Sequence, residues 1–246
     1  YMLCCRLRDK FTLARPPSRA SLHRAFRHHP RYLELRRRAR GEKRYRQRFQ
    51  ARDPHDLWQG DAKGKFRVRF ADGTVRTVTV LSFLDDATRF VVAARVVLEE
   101  SAAAAILVFC LAVALFGLPK RLYTDNGGAY LSWVFRKGVA LLGVRRIPTG
   151  SRDAPPRGKI EAYHRTLKRW FVNELKHVVV RDLAHLQELL DAFLHMYHEH
   201  PHKELKQTPR EALGNRRSDR LVSLERLRHA FLLERSLRVH PRDATV

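Results

Sequence analysis

LWQGDAKGKFRVRFADGTVRTVTVLSFLDDATRFVVAARVVL, residues 57–98, decides the fold. Its Val, Thr, Phe and Leu residues recur with period two, and its breaks are turn formers, which is strand punctuation. The reading gives strands over Leu57–Arg69, Thr74–Asp85 and Phe90–Leu98. Ala-Asp-Gly-Thr at 71–74 supplies a hairpin turn between the first two. Strands joined this closely run antiparallel, because a parallel crossover needs a dozen residues or more.

Downstream the pattern changes period. SAAAAILVFCLAVALFGL, residues 101–118, approaches the length of a membrane span, but it is Ala-rich and lies between strands of a soluble pattern. A helix over Ser101–Phe116, buried on the sheet and stopped by Gly117 and Pro119, is the expectation. A strand at Arg121–Thr124, a helix at Tyr130–Leu142 and a strand at Val144–Thr149 follow. Three antiparallel strands and then helix, strand, helix, strand imply an α/β protein with a mixed five-stranded sheet flanked by helices.

Three carboxylates stand in distinctive settings: Asp61 in LWQGDAKGK, Asp125 in RLYTDNGGAY and Glu161 in PPRGKIEAYHRTLKRW. Sixty-three residues separate the first two and thirty-five the last two. Mg²⁺ prefers hard oxygen ligands and leaves positions open for water and phosphate oxygens. Two such ions held by three acids across a phosphate suit in-line displacement at phosphorus. Asp125 alone would also read as a turn residue, and Glu161 alone as an acid favoured in a first helical turn.

The spacing, LWQGDA, SFLDDATRF, LYTDNGGAY, GKIEAYHRTLK and MYHEHPHKELKQTPREAL together resemble the retroviral-integrase and bacterial insertion-sequence transposase family over residues 50–215. The resemblance implies a ribonuclease-H-like core, with Asp61, Asp125 and Glu161 as catalytic residues and ligands of two Mg²⁺ or Mn²⁺ ions. It implies metal-dependent nicking of transposon ends and strand transfer by transesterification. It also places a DNA-contacting base at Lys159. Glu161 is expected on a helix running to about Leu175. Arg165, Lys168 and Arg169 at i+4, i+7 and i+8 would continue its face as a DNA-holding stripe. Asp153, in the loop 150–158, and the Asp85–Asp86 pair at a strand end are read as non-catalytic. His195, His198, His200 and His202 have spacing close enough for Zn²⁺ but read as a helix end followed by a proline turn.

Charge points to the same partner. The chain carries 49 Lys and Arg against 25 Asp and Glu, a formal +24 over 246 residues. Such a field draws polyanions and releases counterions from DNA. A membrane surface would attract it too, but there is no lipidation motif or separable amphipathic anchor. The three cysteines, Cys4, Cys5 and Cys110, lack metal-knuckle or disulfide-framework spacing. A bacterial cytoplasm and association with the nucleoid are expected.

Residues 1–50 read as a basic helical appendage. A helix starting near Ser18 or Ser21 resembles the recognition helix of a partial helix-turn-helix, with Arg19 and Arg24 toward DNA; a solvated basic helix is the alternative. Residues 36–52 read as a linker or arm along phosphates. Residues 51–215 are the expected core. Residues 216–246 would hold a helix and the start of a small β-barrel resembling that of phage-Mu-like transposases, here truncated after its first strand. The competing function is a truncated or domesticated protein that occupies transposon ends without catalysis. A homo-oligomer bridging two DNA ends is implied by the resemblance.

Overall fold

The computed structural model describes residues 18–34, 50–124, 128–147 and 157–232. Asp125, residues 36–49, most of the loop 150–158 and the expected barrel strand lie outside them. The chain divides into two compact units, residues 1–48 and 49–246.

In the first unit, helix α1 spans Arg19–Phe26. Ser18 caps it: its hydroxyl accepts the Ser21 amide at 3.0 Å. Of Arg19 only the backbone is described, and Arg24 is exposed.

The second unit is built on five strands: β1 (Leu57–Arg69), β2 (Val75–Asp85), β3 (Val91–Val97), β4 (Arg121–Thr124) and β5 (Arg145–Ile147). Their order is β3-β2-β1-β4-β5. The β1–β2 and β2–β3 pairs are antiparallel, and the β1–β4 and β4–β5 pairs parallel. The 57–98 stretch therefore forms the antiparallel half as its period predicts. Between β1 and β2, Gly73 takes φ +81° and the Asp72 carboxylate accepts the Thr74 amide and hydroxyl at 2.8 and 2.7 Å.

Helix α2 (Ala102–Phe116) covers one face of the sheet. Ser101 accepts the Ala104 amide at 3.2 Å, and Gly117 ends the helix at φ +80°. Ala105, Val108, Phe109, Ala112 and Val113 meet Trp58, Leu81, Phe83 and Leu122 in one core. No helix among the described residues is long and apolar enough to cross a membrane. The helix expected over Tyr130–Leu142 is instead two, α3 (Gly128–Leu131) and α4 (Trp133–Leu141). Ser132 separates them, because its hydroxyl caps the second by accepting the Phe135 amide at 3.2 Å.

The other face carries α5 (Gly158–Leu167) and α6 (Leu183–Glu199). Ile160, Tyr163, Leu167, Leu186, Leu190 and Phe193 pack there on Val80, Leu84 and Val91. The continuous helix expected to Leu175 breaks at Lys168, where a π-turn spans Lys168–Val172 and a 3₁₀ turn follows at Glu174–His177. The Asn173 amide bonds the Lys168 carbonyl at 3.1 Å across this wide turn. It carries Phe171 to 5.8 Å from the Phe193 ring and Trp170 to 4.7 Å from that of His200.

Edge strand β3 is closed by α6. Gln187 accepts the Val96 amide at 2.9 Å, and His198 Nε2 accepts the Val91 amide at 3.1 Å. These bonds occupy groups that would otherwise be free to template another strand. Beyond α6 come α7 (Pro209–Leu213) and α8 (Leu224–Ala230). Residues 216–232 strap back onto the core: Ser218 Oγ donates to the Leu118 carbonyl at 2.6 Å, and Arg220 reaches the carbonyls of Pro119, Leu142 and Gly143.

Candidate active site

β1 lies at the centre of the sheet, between an antiparallel and a parallel neighbour. Its parallel register with β4 runs from Leu57–Arg121 to Gly60–Thr124. Asp61 is the next residue on β1, and Asp125 follows Thr124 in the chain but lies outside the described residues. A glycine at position 60 is required by crowding. A Cβ there would stand 2.5 Å from the Phe83 ring and 3.1 Å from Thr124 Cγ2. The C-terminal end of β4 thus packs closely against β1 beside the first acid.

Asp61 is 8% exposed and its side chain falls on the α5 side of the sheet. Oδ1 accepts the Ala62 amide at 2.9 Å, and Oδ2 lies 2.8 Å from Arg157 Nη2 and 3.7 Å from His164 Nδ1. Residues 157, 161 and 164 are four and three apart, so they share one side of a helical turn. Both neighbours of Glu161 on that side reach Asp61, which puts Glu161 on the side of α5 that looks toward the first acid. Glu161 itself is exposed.

Burial pushes His164 down to about 4, helped by the charges of Lys63 and Arg157, so its imidazole is neutral near pH 7. Its Nε2 is buried without a hydrogen-bond partner among the described residues. Among those residues no three His, Cys, Asp or Glu side chains converge to hold a metal ion. The donor set still fits Mg²⁺, because Asp61 offers a hard carboxylate oxygen and already holds a cationic side chain there.

Arg165, Lys168 and Arg169 are exposed along the outer side of α5 and the π-turn. Lys159 is placed differently. Two residues before Glu161, it lies about 200° around the helix from it. Its ammonium reaches the Asp86 carboxylate, and it donates to the Asp86 carbonyl at 3.3 Å.

The Asp85–Asp86 pair is saturated. Asp85 accepts the His55 amide at 2.7 Å and the Thr88 amide and hydroxyl at 2.9 and 2.8 Å, and burial raises its pKa. Asp86 accepts the Ala51 amide and Gln59 Nε2, both at 2.7 Å. Of the histidines of 195–202, His198 stacks on Phe90 at 3.7 Å, and His202 Nδ1 accepts the Glu204 amide at 3.3 Å.

Sequence reasoning missed Arg157, His164 and Asp86. The first two were readable from RGKIEAYH once the phase of the helix was fixed by Glu161. Asp86 had no sequence signal beyond its pairing with Asp85.

The fold is α/β, a mixed five-stranded, ribonuclease-H-like sheet flanked by helices. Residues 51–153 match the family described as Integrase core domain, a span that contains Asp61 and Asp125 and ends before Glu161. The chain is similar to the HTLV-2 integrase catalytic core domain in complex with magnesium, at TM-score 0.53 and 18% identity over 66% of this chain and 99% of that one. It is also similar to a chain of the simian T-cell lymphotropic virus intasome in complex with PP2A regulatory subunit B56 gamma. That match has TM-score 0.55 and 19% identity, over 71% of this chain and 60% of that one. The core is therefore an integrase catalytic-core fold.

Proposed function

We propose that this protein is a DNA transposase or integrase-type recombinase of the Asp-Asp-Glu class. One observation carries the reading: Asp61, on the central strand, faces the side of α5 that presents Arg157, Glu161 and His164. Asp61, Asp125 and Glu161 would hold two Mg²⁺ or Mn²⁺ ions, which when bound neutralise phosphate charge and lower the pKa of a nucleophilic hydroxyl. Arg165, Lys168 and Arg169 hold phosphates beside the acids, supplying affinity rather than sequence reading. His164, neutral near pH 7, lies 3.7 Å from the Asp61 carboxylate and adds no charge to the site.

A water oxygen first attacks the phosphorus at a transposon end; its new P–O bond replaces the bond to the 3′ oxygen, which leaves as a 3′-hydroxyl. That hydroxyl then attacks a target phosphodiester, and the displaced 3′ oxygen of the target takes up a proton. No covalent protein intermediate forms. The partners are transposon ends and target DNA, bridged by a homo-oligomer, in the bacterial nucleoid.

The test incubates the full chain with end-bearing DNA and Mg²⁺ or Mn²⁺, comparing wild type with Glu161→Gln. Nicked and joined products from wild type, absent from the variant while DNA binding persists, are the expected result. Identical, product-free lanes would instead establish a protein that only occupies ends.

A further inference from the structure

We propose that Lys159 and Asp86 form a buried clamp that sets the position of the helix carrying Glu161, making Lys159 a positioning residue rather than a DNA contact. The inference rests on the recombinase reading for its consequence at the metal-binding acids, but its geometry stands on the fold alone.

Lys159 lies in the first turn of α5, and its side chain is only 14% exposed. Burial lowers its pKa, and the Asp86 hydrogen bond and charge pull the other way. A phosphate contact needs a cation in solvent on the DNA-facing side. Lys159 instead shares its side of the helix with Tyr163 and Leu167, at i+4 and i+8, which are 1% and 0% exposed. The three side chains form the inward ridge, and each is anchored. Lys159 takes Asp86, Tyr163 Oη lies 3.2 Å from Ser82 Oγ, and Leu167 enters the core. Ser82 is the β2 residue paired with Asp61 in the sheet register. The inward ridge of α5 is thus pinned to Ser82 on β2 and to Asp86 just past the end of that strand, and the β1 partner of Ser82 is Asp61.

Asp86 is itself immobile. It is wholly buried, and its carboxylate gathers donors from three places: the Ala51 amide, Gln59 of β1 two residues before Asp61, and Lys159. Arg89, at φ +62°, donates to the Asp86 carbonyl and closes the turn beneath it. Gln59 projects to the same side of β1 as Asp61, because side chains alternate along a strand. One carboxylate therefore ties the strand of the first acid to the helix of the third. Outer partners of this kind commonly change metal affinity about 10–100-fold when removed.

The experiment compares full-length Lys159→Met, Lys159→Arg, Asp86→Asn and the double variant Lys159→Met/Asp86→Asn with wild type. Three quantities are read: hydrogen exchange of the amides of residues 160–164, Mn²⁺ binding followed by the spin resonance of the free ion, and DNA affinity against salt without divalent ions. The clamp predicts faster exchange in Lys159→Met and Asp86→Asn and Mn²⁺ binding weakened about 10–100-fold in both. It predicts an unchanged salt slope, and a double variant no worse than Lys159→Met because no buried charge is stranded. Lys159→Arg, which keeps the charge, should lie nearer wild type. A salt slope lowered by about one in Lys159→Met alone, with exchange unchanged, would identify a phosphate contact and overturn the clamp. Wild-type exchange in both single variants would also overturn it. If Lys159→Met does not fold, Asp86→Asn decides the question. Exchange is read without turnover, so a protein with no recombinase products but loosened amides sinks the function and leaves the clamp standing.

Discussion

The inward and outward sides of α5 use the same residue types for opposite purposes. Inward, Ile160, Tyr163 and Leu167 are buried and Lys159 is half-buried, and the four are joined to Asp86, Ser82 and the core. Outward, Arg165, Lys168 and Arg169 are exposed; between the two sides, exposed Glu161 stands with Arg157 and buried His164, which are directed at Asp61. A lysine on one side is a structural cation matched to one carboxylate; a lysine on the other is part of a diffuse field. Sequence position within GKIEAYHRTLKR does not separate the two roles, but helical phase does.

The contrast is broken most severely at Ile160, which is 1% exposed. Ile160→Ala should cost about 2–5 kcal/mol of stability by leaving a cavity, seen as a lower denaturant midpoint at unchanged slope. An effect below about 1 kcal/mol would mean that α5 is not packed on the sheet as described.

The same layer gives a pH dependence. Burial pushes His198 down to about 3, with Arg210 and His195 adding to the effect, and its Nε2 lone pair accepts the Val91 amide. The folded state then binds fewer protons than the unfolded chain below pH ~6.5, so stability is full above that value and falls as pH drops toward 3. His164 contributes with the same sign. His198→Gln, which keeps an acceptor and removes the titration, should flatten the decline of melting temperature between pH 6.5 and 4. An unaltered pH profile would remove His198 from the account.

The outward side yields the smallest stability effect. Arg165→Ala should move stability by no more than about 0.5 kcal/mol. Its DNA affinity should fall similarly across sequences, with the salt slope reduced by about one. Loss of stability with unchanged DNA binding would reverse the assignment of the two sides.

Much of the architecture was legible. Strand β1 spans Leu57–Arg69 as its alternation predicts, and α2 runs between its serine cap and Gly117. These features are local: period, caps and turn residues act within a few positions. Ser132 was harder, since a serine inside an apolar run caps a new helix only if its hydroxyl is turned to the backbone. The π-turn at Lys168–Val172 had no local signal, because it answers the demand of Phe171 for a partner on α6 and of Trp170 for one just past its end.

For the candidate site, Asp61 and Glu161 could be named from motif context, but the company they keep could not. Arg157 and His164 reach Asp61 across about one hundred positions of chain, and Asp86 collects donors from Ala51, Gln59 and Lys159. Composition and periodicity determined a basic α/β protein with a strand-rich first half and acids suited to hard cations, because charge and hydrophobic phase are carried by the residues themselves. Only the tertiary structure decided which cation serves the fold and which faces solvent. That choice depends on how β1, β2 and α5 are rotated against one another, and packing fixes the rotation.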